Sequence, residues 1–404
     1  MKPPQKMGPS EALVETLAAQ GVTHVFGIVG SAFMDALDIF PAAGIRFVPV
    51  AHEQGAIHMA DGYARASGRP GVCIAQNGPG VTNFVTGVAA AYWAHSPVVF
   101  ITPETGSMTL GQGGFQETEQ LAIFSKITKY QGHVNNPRRM AEITSRAFDR
   151  ALLELGPSQL NIPRDYFYGD FEFEIPHPIR IERGPGGSQS LDDAADLLAS
   201  ARFPVIVSGG GVVMSGGVDA CVALAERLGA AVVNSYLRFE RPNSMFAAMS
   251  FGNCGYAFPT IIGAKLAAPE RPAIAYVGDG AWTMSFGEIL TCLRERIPVT
   301  AVVFNNQQWG AEKKNQVDFY GKRFVATNLE NPSFAGIARA MGAEGVVVDK
   351  LSDVGPALRS ACAAQNQGKT TVLEMMVTRE LGDPFRRDAL SKPVRFLPQY
   401  QSYV

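Results

Sequence analysis

The sequence predicts an α/β protein with two doubly wound parallel-sheet domains joined by a truncated α/β middle segment. Short apolar runs rich in β-branched residues alternate with helical patterns of about 10 to 15 residues, which is typical of a parallel sheet covered on both faces. The stretch "EIPHPIRIERGPGGSQS", rich in proline and glycine, separates the first block from the rest. The segment after it holds barely one βαβ unit before a third α/β block begins.

The first block opens with an amphipathic helix that Ser10 caps and Gly21 closes. Apolar runs bounded by turn residues then predict strands at "THVFGIVG", "IRFVPV", "GVCIAQ" and "PVVFIT". The helices between them end at Phe40, run from Glu53 to about Arg65, and follow Pro79. We expect this α/β fold to end near residues 162–164.

The later blocks continue the alternation. The middle segment has a helix from Leu191, the strand "PVIVSGGG", a helix from Val218 to Leu228, and the apolar run "AAVVNSYL". The third block carries strands at "PAIAYV", "PVTAVVF" and "KTTVLEMMV". We therefore predict an N-terminal domain over 1–180, a truncated middle domain over 181–237, a third domain over 238–378 and a tail over 379–404.

Composition narrows the class of protein. The 404 residues are 46% hydrophobic and 18% charged, as in globular proteins, and the net charge of -2 gives no basic surface for a nucleic acid or an anionic membrane. The five cysteines form no CxxC pair, which argues against a disulfide framework or a zinc site. No apolar run has the length of a membrane span. We expect a cytoplasmic protein whose partners are small molecules and other copies of itself.

Two polar signals follow neighbouring strands of the third block. "GDG" at Gly278–Gly280 follows "PAIAYV", and "NN" ends the run "PVTAVVF". An Asp-Gly pair after a strand is often only a tight turn. In a parallel sheet, however, Asp279 and Asn306 would both lie at the carboxyl ends of strands, the edge where such folds bind ligands.

The chemistry of these residues favours a metal and a diphosphate. A carboxylate, an amide oxygen and a backbone carbonyl are hard oxygen ligands suited to Mg²⁺, which often binds through phosphates. A helix that starts after Gly280 can present free amides to the same phosphates. The two signals together predict a magnesium–diphosphate site.

This arrangement resembles the thiamine-diphosphate motif of the acetolactate synthase, pyruvate oxidase and benzoylformate decarboxylase superfamily. The resemblance implies two thiamine-diphosphate-binding-type domains, with thiamine diphosphate and Mg²⁺ as cofactors. It also implies metal ligands and residues that face the diphosphate. The implied metal ligands are Asp279, Asn306 and the carbonyl of Gln308, and the implied diphosphate neighbours are Gly278, Gly280 and Ala281.

The superfamily also requires a glutamate in the first domain that protonates the aminopyrimidine of the cofactor. "VAHEQGAIHMADGYARASG" resembles that element, with Glu53 as the glutamate and His52 beside it as a further catalytic candidate. A glutamate at a helix start is also favoured by the helix dipole alone. "QNGPGVTN" and "GGFQETE" resemble the superfamily in the same order. They add the cofactor-binding candidates Asn77, Gly78, Pro79, Phe115 and Gln116, with Gln116 also a catalytic candidate.

"FGNCGYAFPTIIGA" resembles the segment that meets the aminopyrimidine and props the cofactor into a bent shape. Gly252 matches the residue whose backbone meets the ring, Asn253 follows it, and Cys254 stands where relatives often carry a larger Met or Leu. We interpret Cys254 as a small packing residue rather than a redox or nucleophilic group.

The first and third blocks most resemble the sulfoacetaldehyde acetyltransferase branch of this superfamily, which converts sulfoacetaldehyde and phosphate into acetyl phosphate and sulfite. An acetolactate-synthase-like carboligase would share the cofactor residues, and an inactive, internally deleted form is the other alternative. The resemblance implies a homodimer or homotetramer, with the Glu53 and Asp279 domains meeting between subunits.

The sulfonate and the phosphate are anions, so we expect lysine or arginine side chains to bind them. The candidates are Lys313, Lys314, Lys322, Arg323, Arg386 and Arg387. Each of them can also be explained as a solvated surface charge.

The chain is too short for three complete domains of this superfamily. Because the tetrapeptide "NSYL" at 234–237 suits both sides of the join, we interpret the gap as an internal deletion at this sequence. The deletion would remove most of a middle sheet and the first strand of the third domain. We predict that Ala231–Val233 replaces that strand, beside the strand that leads to Gly278–Gly280.

Overall fold

A computed structural model of the chain describes residues 4–181, 184, 186–233, 244–248, 251–382 and 394–403. The chain forms two compact units. The larger unit consists of Met1–His177 together with Ala247–Val404, and the smaller unit is Pro178–Phe246. In the part that the structure describes, no helix combines the length and the apolarity needed to cross a membrane.

The N-terminal half of the larger unit is a six-stranded parallel sheet with helices between its strands. The strands of this half are β1 (Gln5–Met7), β2 (His24–Gly27), β3 (Arg46–Pro49), β4 (Gly71–Ile74), β5 (Val98–Glu104), β6 (Tyr130–His133), β7 (Ser158–Pro163) and β8 (Phe171–Phe173). The helices are α1 (Pro9–Ala19), α2 (Met34–Ile39), α3 (Glu53–Ser67), α4 (Pro79–Thr82), α5 (Val85–Trp93), α6 (Gln120–Phe124) and α7 (Met140–Glu154). The sheet order is β3-β2-β4-β5-β7-β6, while β1 pairs antiparallel with β8 apart from it.

The smaller unit contains α8 (Ser188–Ser200), β9 (Val205–Val207), α9 (Gly210–Met214), α10 (Val218–Leu228) and β10 (Ala231–Val233). β9 and β10 form a parallel two-stranded sheet. α8 buries no residue, and α10 buries only Ala225. This unit is the truncated middle segment that the sequence predicts.

The C-terminal half of the larger unit is a four-stranded parallel sheet in the order β11-β12-β14-β13. Its strands are β11 (Ile274–Gly278), β12 (Thr300–Asn305), β13 (Glu344–Val348) and β14 (Thr371–Met376). Its helices are α11 (Ala257–Ala267), α12 (Asp279–Trp282), α13 (Ile289–Glu295), α14 (Gly310–Phe319), α15 (Phe334–Met341) and α16 (Leu351–Gln365). The prediction of two parallel-sheet α/β domains with a truncated middle segment is confirmed.

The predicted substitute strand is not at the predicted place. Ala231 lies opposite Val205, so β10 pairs with β9, and the sheet that contains β11 is made of β11, β12, β13 and β14. The prediction is therefore wrong. An apolar run needs a partner strand, and β9 supplies one at a short sequence separation and a small loop-closure cost. The proposed join at residues 234–237 lies outside the described residues.

The two halves of the larger unit meet through α3 and α11, whose backbones approach closely. A Cβ built on Gly62 would lie 1.9 Å from the carbonyl oxygen of Thr260, and one built on Gly263 would lie 1.8 Å from that of Met59. Only glycine fits at these two positions. Residues 55–64 of α3 are all buried, because the N-terminal sheet and α11 cover different sides of the helix.

One hydrophobic cluster crosses this junction. Ile57 and Met59 of α3 belong to the same buried group as Phe258 and Ile262 of α11, and Trp282 of α12 completes it. The Phe258 and Trp282 rings pack edge to face, with centroids 4.9 Å apart. Apolar burial is the dominant favourable term in folding, so this shared core holds the two halves together.

Candidate functional site

Asp279 lies at the carboxyl end of β11, where α12 begins, and is only 3% exposed. Its Oδ1 accepts the Gly280 N–H at 2.9 Å. Its Oδ2 accepts the Gln307 N–H at 2.7 Å and the Asn331 Nδ2 at 3.0 Å. The fold thus places a buried carboxylate at the strand-end edge, as the sequence predicts, and orients it with three N–H donors.

The loop after β12 approaches the same carboxylate. Gln307, with φ of +54°, turns the chain so that its N–H reaches Asp279. Asn306 Oδ1 accepts the Gln308 N–H at 3.2 Å. Gln308 is 3% exposed, and its side chain bonds the Arg379 carbonyl at 2.8 Å and Lys313 Nζ at 2.9 Å. With its side chain engaged in this way, Gln308 has its backbone carbonyl to offer as a ligand.

The oxygen atoms that Asp279, Asn306 and Gln308 can offer suit a hard cation. An ionised carboxylate offers about four acceptor positions, and the three N–H donors leave Asp279 one more. Among the described residues no lysine or arginine pairs with it. No cluster of three His, Cys, Asp or Glu side chains suited to a metal occurs in the described ranges either. A metal here would take one carboxylate and neutral amide oxygens, a combination that Mg²⁺ accepts.

Glu53 is the first residue of α3, and its orientation comes from two neighbours. His52 caps the helix, because its Nδ1 accepts the Gln54 N–H at 3.1 Å. Asn83 Nδ2 donates to Glu53 Oε2 at 2.9 Å, while Glu53 Oε1 takes no hydrogen bond from the described residues. One carboxylate oxygen is therefore fixed and the other is available. His52 itself is exposed, and its catalytic role stays a prediction.

The segments "QNGPGVTN" and "GGFQETE" lie against each other. Asn77, 1% exposed, donates to the carbonyls of Phe115 at 3.0 Å and Gln116 at 3.2 Å. Gln116 has φ of +58°, and its Oε1 accepts Gln76 Nε2 at 3.0 Å. Gly78, with φ of +67°, begins the turn into Pro79 and α4. The structure thus gathers the predicted N-terminal residues, with the Phe115 side chain 70% exposed.

The segment Gly252–Cys254 precedes α11 and lies beside α3. Asn253 Nδ2 lies 3.2 Å from Nε2 of His58, a fully buried residue of α3. Burial lowers the pKa of His58 to about 4, so this histidine is neutral at pH 7. Burial, with a smaller contribution from Glu312, raises the pKa of the Cys254 thiol. Cys254 is itself exposed, so its packing role stays a prediction.

A buried carboxylate connects the two halves directly. Glu288, 3% exposed, accepts the Ala51 N–H at 3.1 Å and the His52 N–H at 3.2 Å, immediately before Glu53. Thr291 Oγ1 donates to it at 2.6 Å. Burial raises the pKa of Glu288, and the three donors oppose that effect. Glu288 therefore holds the start of α3 against the C-terminal half.

We expect Glu288→Gln to destabilise the protein by about 1–3 kcal/mol, because the new Nε2 would face a backbone N–H that loses its acceptor. The unfolding midpoint should fall by several degrees in a thermal melt. Thr291→Val, which removes only the hydroxyl donor, is the control and should have the smaller effect. Equal midpoints for wild type and Glu288→Gln would contradict this role.

Six cationic residues were predicted. Lys322 and Arg323 lie just after the end of α14, and the other four divide into three groups. Lys313 bonds the side chains of Gln308 and Asn328, the latter at 2.7 Å, and so lies beside the Asp279 edge. Lys314 pairs with Asp318 on α14. Arg386 and Arg387 lie outside the described residues. Of the predicted cations, Lys313 is therefore one that the structure places beside the loop after β12.

Sequence reasoning missed the residues that orient the predicted ones. Asn83 ends the stretch "QNGPGVTN", and Glu288 lies between "GDG" and "NN", yet neither has a recognisable motif position. Asn331 follows the loop after α14, remote in sequence from Asp279. Their partners come from distant segments, so spacing along the chain gives no signal for them.

Family models place the chain among enzymes that use thiamine pyrophosphate, another name for thiamine diphosphate. The model "Thiamine pyrophosphate enzyme, N-terminal TPP binding domain" matches residues 7–123. The corresponding C-terminal TPP binding domain matches residues 228–375, and the central domain matches residues 191–240.

Named relatives match over nearly the whole chain. A sulfoacetaldehyde acetyltransferase of Castellaniella defragrans is 48% identical, and one of Alcaligenes xylosoxydans xylosoxydans is 47% identical, each alignment covering 99% of this chain and 98% of the relative. The first alignment runs over 586 positions although the chain has 404 residues, so it contains long gaps in this chain, as an internal deletion predicts. A probable acetolactate synthase large subunit of Methanocaldococcus jannaschii is 36% identical over 54% of the chain and 38% of that relative.

Proposed function

Because this chain belongs to the thiamine pyrophosphate enzymes, we propose that it is a thiamine-diphosphate-dependent acyltransferase that converts sulfoacetaldehyde and phosphate into acetyl phosphate and sulfite. The observation that carries the proposal is the high identity to sulfoacetaldehyde acetyltransferases over nearly the whole chain. Asp279 at the end of β11 and Glu53 at the start of α3 support it. The cofactor needs a metal ligand near its diphosphate and a carboxyl group that exchanges a proton with its ring, and these two residues supply them.

In this proposal Asp279, Asn306 and the Gln308 carbonyl hold Mg²⁺. Gly278, Gly280 and Ala281 lie along the diphosphate, where α12 begins. When bound, thiamine diphosphate supplies a nucleophilic carbon that adds to carbonyl compounds. The buried position of Asp279 supports this assignment, because a largely desolvated carboxylate attracts a cation strongly.

Glu53 exchanges a proton with the aminopyrimidine in this proposal. Asn83 fixes Oε2 of the carboxylate, so Oε1 is the oxygen left to meet a ring nitrogen. Gly252, Asn253 and Cys254 contact the ring from the C-terminal half. Asn77, Gly78, Pro79, Phe115 and Gln116 enclose the reacting end of the cofactor. His52 and Gln116 are further catalytic candidates.

A product assay tests the activity. Purified protein with thiamine diphosphate, Mg²⁺, sulfoacetaldehyde and phosphate should release sulfite and form acetyl phosphate in equal amounts. Sulfite release should fall to background when thiamine diphosphate is omitted, and acetyl phosphate should not form without phosphate. Cofactor-dependent consumption of the aldehyde without sulfite would overturn the proposed substrate.

An acetolactate-synthase-like carboligase is the second candidate, favoured by the match to acetolactate synthase over half of the chain. It would share every proposed cofactor residue, and its product would be a joined keto acid instead of sulfite. An inactive form is the third candidate, favoured by the thin middle segment. It would give no thermal stabilisation at saturating cofactor.

We also propose a homodimer or homotetramer. Tyr276 and Phe304 support it, because they stack on one face of the β11–β12 edge while 57% and 42% exposed, and parallel sheets are usually covered on both faces. Light scattering should give a mass two or four times that of the 43.3 kDa chain. A mass of one chain would overturn the proposal. We also propose a reducing, cytoplasmic compartment, which the five free cysteines support. The domain boundaries at 180, 237 and 378 stay predictions.

A further inference from the structure

A buried carboxylate lies inside the C-terminal sheet, where strands covered on both faces usually carry apolar residues. Glu374 is an interior residue of β14, which has β12 on one side and β13 on the other, and it is 2% exposed. Its neighbours in the strand, Leu373 and Met375, are buried apolar residues. Burying a carboxylate costs free energy unless its oxygens are hydrogen-bonded. The hydrogen bonds of Glu374 therefore indicate what the carboxylate does at this position.

One oxygen of Glu374 holds the loop after β12. Glu374 lies opposite Val303 in the register, so its side chain is on the same face of the sheet as that of Asn305. Asn305 Nδ2 donates to Glu374 Oε1 at 2.8 Å. Asn305 Oδ1 in turn accepts the Gln307 N–H at 3.2 Å, the same N–H that Asp279 Oδ2 accepts at 2.7 Å. Glu374 thus fixes the orientation of the Asn305 amide, which helps to direct the Gln307 N–H toward Asp279.

The other oxygen of Glu374 holds the start of α15. Ser333, the N-cap residue of this helix, donates its hydroxyl to Glu374 Oε2 at 2.7 Å, and the Ala335 N–H donates to the same oxygen at 3.0 Å. Asn331 lies two residues before the cap, and its Nδ2 donates to Asp279 Oδ2 at 3.0 Å. The carboxylate therefore anchors a second segment that reaches Asp279.

The charge state of Glu374 suits this double role. Burial alone would raise its pKa, but hydrogen bonds from the Ala335 N–H, the Ser333 hydroxyl and the Asn305 amide outweigh burial and lower the pKa from its usual value. An ionised carboxylate accepts at both oxygens, whereas a glutamine amide accepts at one end and donates at the other. A carboxylate can therefore hold both segments, and an amide in its place cannot.

We infer that Glu374 is a positioning residue of the Asp279 site. Its two oxygens hold the loop after β12 and the start of α15, which are the two segments whose Gln307 and Asn331 donors orient the Asp279 carboxylate. The inference rests on the proposed function for the identity of the ligand, Mg²⁺ with thiamine diphosphate. The orientation of Asp279 stands on the hydrogen bonds.

Exchanging the carboxylate and the amide between positions 374 and 305 tests this set of contacts. In Glu374→Gln the new Nε2 faces Asn305 Nδ2, and if the Asn305 amide turns over to accept it, Nδ2 faces the Gln307 N–H instead. With the other orientation of the glutamine, the Ala335 N–H loses its acceptor. Adding Asn305→Asp restores the pattern, because the glutamine donates to the new carboxylate, whose other oxygen accepts the Gln307 N–H.

Calorimetric titration with Mg²⁺ at saturating thiamine diphosphate measures the effect, at a temperature where thermal melts show every variant to be folded. Glu374→Gln should raise the dissociation constant for Mg²⁺ by about 10–100-fold, the usual loss when a group that orients a metal ligand is replaced. Asn305→Asp alone sets two carboxylates against each other and should also weaken binding. The double variant should return to within about fivefold of wild type, because substitutions at contacting residues are coupled.

Glu344→Gln is the matched control, because Glu344 lies on the neighbouring strand β13, opposite Thr371 at the far end of β14, and pairs with Lys369. It should bind Mg²⁺ as wild type does. A folded Glu374→Gln protein within about threefold of wild-type affinity would overturn the inference. A double variant that binds no better than Glu374→Gln would also overturn it. Tighter binding by Asn305→Asp alone would assign any recovery to the added charge, with the same consequence.

A second variant covers the case in which Glu374→Gln does not fold. Asn331→Ala changes a half-buried residue and removes one donor of Asp279 without altering Glu374. It should fold and bind Mg²⁺ several-fold more weakly. Unchanged affinity in this variant would overturn the inference.

The proposed function can fail separately from the inference. If the wild-type protein binds no Mg²⁺ with thiamine diphosphate, the proposed function fails, and hydrogen exchange at the Gln307 amide of the cofactor-free protein decides the inference. Faster exchange in Glu374→Gln that the double variant reverses would support it, because the Gln307 N–H then depends on the carboxylate as the contacts require. Equal exchange in wild type and Glu374→Gln would overturn it.

Discussion

Glu53→Gln should lower turnover by about 10²–10⁴-fold, the usual range for losing a general acid or base. The glutamine is nearly the same size, and its Oε1 can still accept the Asn83 amide that now bonds Glu53 at 2.9 Å. The fold and the affinity for the diphosphate end of the cofactor should therefore change little. What is lost is the ability to exchange a proton with the aminopyrimidine.

Three measurements make this prediction specific. Sulfite release gives the turnover, calorimetry gives the cofactor dissociation constant, and a thermal melt reports folding. Glu142→Gln is the matched control, because Glu142 also lies in the first turn of a long helix, α7, where it pairs with Arg139 away from the site. It should retain full activity. A Glu53→Gln protein within about threefold of wild-type turnover would place the acid elsewhere.

Asp279→Asn should raise the dissociation constant for thiamine diphosphate with Mg²⁺ by at least about 100-fold. Replacing groups that only orient a metal ligand costs roughly 10–100-fold in metal affinity, and Asp279 is proposed as a direct ligand. The variant also turns an amide group toward the donors on Gly280, Gln307 and Asn331. We therefore expect about 1–3 kcal/mol of lost stability in the protein without cofactor.

The loss of binding and the loss of stability are separable. Cofactor at about 100 times its dissociation constant should stabilise wild type by about 2.7 kcal/mol, and EDTA should abolish that gain until MgCl₂ is restored. Asp279→Asn should gain nothing under the same conditions. Asp353→Asn, an exposed carboxylate in the first turn of α16, is the control and should behave as wild type. A folded Asp279→Asn protein with unchanged affinity would refute the metal assignment.

The sequence predicted the parts of the fold that have strong local patterns. The apolar runs that became β2, β4, β5, β11, β12 and β14 are bounded by turn residues, which makes such runs recognisable in the sequence. β6, with the sequence "YQGH", has no such pattern and depends on its neighbour β7. The pairing of Ala231–Val233 was predicted wrongly, because a run of apolar residues reveals that a strand forms but not which strand it joins.

The same distinction applies to the site. Asp279 and Asn306 could be found because each directly follows a strand, and strand ends gather at one edge of a parallel sheet. Glu288 could not, because its role comes from two backbone N–H groups more than two hundred residues away in the chain. Candidate catalytic and metal-binding residues can be recognised from their local sequence. The residues that orient them act through tertiary contacts, which the local sequence does not reveal.

The small amount of buried surface in α8 and α10, two helices of the smaller unit, has a further consequence. With no buried side chain in α8 and only Ala225 in α10, ordering this segment gains little hydrophobic free energy against its conformational entropy. Its amide hydrogens should exchange with solvent far sooner than those of α3 or β12. The smaller unit would then act mainly as a linker between the two parts of the larger unit. Changes to its sequence would be tolerated as long as the linker stays long enough to join them.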